Sequence, residues 1–101
     1  RPVRMALDYI AENYAQKIGL DEIAEMLQMN SSYFSTLFKK EVGMTLTDYV
    51  NANRIEYAKK LLRSTLLPVQ DVAAACGIPD VHYFTRLFRR ITGMTPREWR
   101  R

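Results

Sequence analysis

A chain of 101 residues with 48% hydrophobic content has the size of one ordinary domain, or of two small subdomains, and folds without needing disulfides or a metal. Its 15 Lys and Arg against 11 Asp and Glu leave a net charge of +4, which suits a polyanionic partner without establishing one. The lone Cys76 excludes an internal disulfide, no Cys/His cluster is present to hold zinc, and no run of about 18 apolar residues or signal-peptide core occurs, so the expectation is a cytoplasmic protein that keeps off the membrane and uses no cofactor.

The chain opens without Met, directly into a helical pattern, as a domain cut from a longer protein does. Val3, Leu7, Ile10 and Tyr14 recur at helical spacing and predict a helix over 3–14. Gly19 resets the chain. Leu20, Ile23, Ala24 and Leu27 then form a short helix ending near Gln28, with Asp21 and Glu22 in the first turn, where negative charge suits the helix dipole. Asn30 is a good N-cap for a third helix with Phe34, Leu37, Phe38 and Val42 on its apolar face, closed by Gly43.

Thr45 with Asp48 resembles a capping box opening a long fourth helix, from Leu46 to about Arg63. At 100° per residue Leu46, Tyr49, Val50, Tyr57 and Leu61 fall on one side and Ile55, Ala58 and Leu62 nearly opposite, so this helix is expected to pack against two bodies. Pro68 marks the next boundary. Val69, Val72, Ala73 and Cys76 predict a short fifth helix stopped by Gly77, and Asp80 caps a sixth carrying Phe84, Leu87, Phe88 and Ile91 before Gly93. Thr95, Pro96 and Glu98 supply cap, first-turn proline and box acid of a seventh. The fold class is therefore all-α, with one helix-turn-helix subdomain over 1–45, a linker helix over 46–63 and a second subdomain over 64–101.

A shift of fifty residues places Tyr33, Phe34, Leu37 and Phe38 on Tyr83, Phe84, Leu87 and Phe88, and Gly43, Met44 and Thr45 on Gly93, Met94 and Thr95. One residue less aligns Leu20, Ile23 and Ala24 with Val69, Val72 and Ala73, so the second turn is one residue longer. Shared packing accounts for the apolar positions of this repeat. It does not require the basic pair, Lys39 and Lys40 in one copy and Arg89 and Arg90 in the other.

In a helix-turn-helix the second helix enters the DNA major groove by its N-terminal part. Its polar face offers Ser31, Ser32, Ser35, Thr36 and Lys39 in the first copy and Val81, His82, Thr85, Arg86 and Arg89 in the second, with no bulky acid on either. Arg86 can pair bidentately with guanine; Ser32, Ser35, Thr36 and His82 can donate to or accept from base edges, and Val81 can lie against a thymine methyl. Ser31, Lys39, Lys40, Arg89 and Arg90 are assigned to phosphate, which adds affinity without sequence information. Eighteen residues of linker helix would span roughly 27 Å, close to the roughly 34 Å between successive major-groove faces, so one molecule is expected to read two adjacent grooves.

The run Ala73, Gly77, Asp80, Tyr83-Phe84, Phe88-Arg89-Arg90, Gly93, Thr95-Pro96 and Trp99-Arg100 resembles the signature of the AraC/XylS family of bacterial transcription regulators, and Arg54-Ile55, Ala58 and Leu61-Leu62 match its linker helix. The resemblance covers essentially the whole chain. It implies seven helices in two helix-turn-helix units that bind double-stranded promoter DNA, with RNA polymerase as a partner. Three positions depart from the pattern: Ile78 stands where an aromatic is usual, Asn30 where Ser or Thr is common, and Trp99 where Tyr is common. The stretch from Asp8 to Tyr14 is similar to versions of the domain joined to a two-component receiver, which implies an N-terminal receiver or, in the other common arrangement, a sensory domain.

Three other classes fit the sequence less well. An enzyme is disfavoured because His82 has no acid spaced to orient it and Cys76 falls on an apolar face. A helical protein-interaction module would show an apolar exposed stripe where these faces are polar and basic, and RNA binding would show a stacking platform of exposed aromatics.

Overall fold

Local capping chemistry sets the helix ends in the computed structural model, which describes residues 1–101 as seven helices and no strand. They are α1 (Pro2–Asn13), α2 (Leu20–Met26), α3 (Ser31–Val42), α4 (Leu46–Ser64), α5 (Val69–Ala75), α6 (Val81–Thr92) and α7 (Pro96–Arg100). Gly43 and Gly93 end α3 and α6 at φ of 90° and 83°, in the left-handed region where a side chain is strained. Thr95 and Glu98 form the reciprocal capping box of α7, while Thr45 Oγ1 accepts from the Asp48 amide at the start of α4. Hydrogen bonding to the Thr95 amide holds the Glu98 carboxyl below its ordinary value.

The chain divides into two compact units, Arg1–Asn51 and Ala52–Arg101. In the first, Val3, Ala6 and Ile10 of α1 pack with Ile23 and Ala24 of α2, with Phe34 and Phe38 of α3, and with Leu46 and Val50 of α4. Phe38 lies 5.9 Å from Phe34 and 5.7 Å from Tyr49, the latter in a T-shaped pair. The second unit repeats the plan, with Ile55, Ala58 and Leu62 of α4 packing on Val72, Ala73, Phe84 and Phe88. The spacings Val3/Ala6/Ile10 and Ile55/Ala58/Leu62 are the same, so the second half of α4 does for its unit what α1 does for the other.

The helix-turn-helix bends are equivalent hydrogen bond for hydrogen bond. Met29 N–H reaches Ala24 O and Ile78 N–H reaches Ala73 O, both at 2.9 Å, the long bond of a Schellman motif. The left-handed residue is Gln28 at φ 58° in the first bend and Gly77 at φ 93° in the second.

Four expectations about burial are corrected. Tyr57 and Leu61 pack on the second unit's core with Ile55, not on the Leu46 side, because α4 changes partner midway and a single helical wheel merges the two halves. Tyr33 and Tyr83 are 63% and 40% exposed, and Met44 and Met94 are also exposed, so these repeated positions are not core. Ile91 is exposed as well, in the last turn of α6 one turn beyond the buried Leu87 and Phe88. Most of the shared packing rests on the four fully buried Phe residues, each worth about 1.5–3 kcal/mol over its exposed state.

Candidate nucleic-acid interface

Both second helices are twelve residues long, and each is started by a side-chain cap. Asn30 Oδ1 accepts from the Tyr33 amide at 2.9 Å; Asp80 Oδ1 accepts from the amides of His82 and Tyr83 at 3.0 and 3.1 Å. Phe34 and Phe38 pin one face of α3, and Phe84, Leu87 and Phe88 pin one face of α6. The opposite faces are thereby turned outward. Ser32, Thr36, Lys39 and Lys40 are exposed on α3, with Ser31 and Ser35 half-buried beside them; His82, Arg86, Arg89 and Arg90 are exposed on α6, with Val81 and Thr85 half-buried. The basic pairs occupy the last turn of each helix, where the C-terminal end of the dipole also favours them.

One of these side chains is already engaged. Ser31 Oγ donates to Asp21 Oδ1 of α2 at 2.8 Å, so its hydroxyl proton is not presented outward. Sequence reading missed this pair, since the contact spans ten residues and depends on the bend between α2 and α3.

A second group missed from sequence supports α6 from behind. Trp99 Nε1 donates to Lys59 O at 3.2 Å, its ring lies under the Arg63 guanidinium at 4.1 Å and the Lys59 ammonium at 4.9 Å, and it forms a T-shaped pair with Phe88 at 6.1 Å. Arg63 Nε donates to Trp99 O, and Arg100 Nε donates to Leu62 O, satisfying a carbonyl near the end of α4. Trp99 was legible as an unusual signature residue, but not its partners. Further along α4, burial lowers the pKa of Arg54, an effect partly offset by Cys76 and Tyr83.

Electrostatically the units differ. Residues 1–51 hold five Lys and Arg against seven Asp and Glu, a net −2, and residues 52–101 hold ten against four, a net +6. Cys76 is fully buried, its thiol pushed up to about 11 chiefly by desolvation and donating to Ala73 O. That is the environment of a small core residue, not of a thiolate nucleophile. No helix is long and apolar enough to cross a membrane.

Comparison with known proteins agrees with this geometry. A family described as "Helix-turn-helix domain" matches residues 23–101. The chain is 42% identical over 94 residues to the Escherichia coli K12 protein "Uncharacterized HTH-type transcriptional regulator YijO", covering 93% of this chain and 33% of that one. Among solved structures, the C-terminal domain of AraT, a response regulator from Geobacillus stearothermophilus, superposes with a TM-score of 0.94 at 33% identity, covering 98% of this chain and 83% of that one. The C-terminal domain of the two-component response regulator yesN from Fusobacterium nucleatum gives 0.93 at 33% identity, covering 97% and 96%. The chain spans between a quarter and about half the length of the curated relatives it matches.

Proposed function

Because this chain belongs to the AraC/XylS family of helix-turn-helix transcription regulators, we propose that it is the sequence-specific duplex-DNA-binding part of a bacterial regulator, with α3 and α6 reading adjacent major grooves. One observation carries the reading most: two capped helices of equal length each turn a polar face outward and end in a basic pair. Ser32, Ser35 and Thr36 of α3, and Val81, His82 and Arg86 of α6, face base edges; Lys39, Lys40, Arg89 and Arg90 meet phosphate. Ser31 contributes to a phosphate only where Asp21 releases it. The subdomain limits 1–45, 46–63 and 64–101 describe the two reading heads and their linker.

The chain carries no catalytic step of its own and works in the cytoplasm on promoter DNA. RNA polymerase is the proposed protein partner. An N-terminal receiver domain is favoured over a sensory domain, because both solved neighbours named above are C-terminal domains of response regulators. A protein-interaction module without DNA readout remains the second reading, favoured by the exposed Met5, Met26 and Leu66.

Titration with salt against duplex and single-stranded probes separates the two. DNA readout predicts duplex preference and a log–log slope of about −4 to −6, for roughly five to seven neutralised phosphates. Equal affinity for both probes overturns it.

A further inference from the structure

Asp21 stands where a DNA-reading head should not want an acid. Its carboxylate is bonded at 2.8 Å to Ser31, the first residue of α3, and it is exposed. A complex held by phosphate contacts alone rests the start of α3 on the rim of the groove, against the backbone, and there a carboxylate bonded to its first residue meets phosphate. Glu22 has an acidic counterpart in the second unit, Asp71, under the 49-residue shift that aligns α2 with α5. Asp21 has none: its counterpart is the neutral Gln70, and Ser31 corresponds to Val81, which has no hydroxyl. The difference runs in the same direction as the net charges of −2 and +6.

We propose that Asp21 is a specificity-determining residue of the first head, acting by repulsion. Its carboxylate disfavours most the complexes held by phosphate alone, in which the start of α3 rests on the backbone, and least those in which Ser32, Ser35 and Thr36 reach matching base edges and draw the helix into the groove. The second head meets no such repulsion, and its selectivity rests on its own base contacts, Arg86 foremost. This inference rests on the duplex-binding reading above.

The test uses the full chain, a duplex selected by it from a random pool, and a scrambled duplex of the same composition. Asp21→Asn is expected to raise affinity for the scrambled duplex about three- to tenfold while changing the selected one less than about twofold, so that discrimination falls. Asp21→Glu, which keeps the charge, should retain discrimination. Gln70→Glu should weaken the scrambled complex by a similar factor. Thermal midpoints show that each variant is folded.

Equal changes on both duplexes, or Asp21→Glu behaving like Asp21→Asn, would assign Asp21 a purely structural part in α2 and overturn the proposal. Loss of preference at one base position alone would make Asp21 a direct base reader, for example of a cytosine amine, and overturn it too. Failure of the unchanged chain to prefer duplex removes the underlying reading and this inference together.

Discussion

In the first unit the reading helix starts from Asn30, carries serine and threonine outward and has an acid bonded to its first residue; in the second it starts from Asp80 and carries His82, Arg86 and two further arginines. Inward the two are nearly interchangeable, with Phe34 and Phe38 in one and Phe84 and Phe88 in the other, each pair about 6 Å apart. A core constrains volume and spacing, so the same residues recur. An outward face is constrained only by what it meets, so it is free to diverge. The pair of units thus separates, within one chain, the residues that make a helix-turn-helix from those proposed to decide what it recognises.

The largest test of that separation is Phe88→Ala. A buried Phe replaced by Ala costs about 3–5 kcal/mol, and since Phe88 also supports Trp99, the second unit should lose amide protection while α1 to α3 keep theirs. Hydrogen exchange reads this directly, and equal loss in both units would show that the cores are not separable.

Next in size is recognition. Arg86→Ala should flatten preference at one base pair by about 1–3 kcal/mol, whereas Thr36→Ala at the equivalent position of α3 should change it by less, because a hydroxyl makes one hydrogen bond where a guanidinium makes two. Binding to duplexes substituted one position at a time measures both, and a greater effect from Thr36 would reverse the ranking of the heads.

Smaller again is the cap of α7. Thr95→Ala should cost about 1 kcal/mol by chemical denaturation, against a lesser loss for Thr45→Ala. The Glu98 side of this box carries a pH signature. Its folded pKa lies below the ordinary value of 4.5, so its contribution is present above that pH and is lost as pH falls through the folded value. The gap between Glu98→Ala and the unchanged chain should therefore narrow as the pH falls through that range.

Much of the fold was legible because its signals are local. Asn30, Asp80, Thr95 and the two closing glycines act on backbone groups within four residues, and they occur where the sequence suggested. What escaped was whatever depends on the bend between elements. Ile91 carries the same apolar letter as Leu87 but lies beyond the reach of the core, and α4 hands its apolar side from one core to the other between Val50 and Ile55. The outward faces of α3 and α6 followed from helical spacing once Phe34 and Phe84 were placed inward. Asp21 and the Trp99 cluster did not, since each joins elements at least ten residues apart.

The bends themselves carry a final consequence. Gly77 adopts its left-handed turn without a side chain to resist it, whereas Gln28 holds the same shape against a penalty of roughly 1–2 kcal/mol that its surroundings must outweigh. A search for this architecture that demands glycine at the bend would recognise the second copy and overlook the first. What the two bends share is the reversal of the chain and its hydrogen bonds, performed by Gln28 in one and by Gly77 in the other.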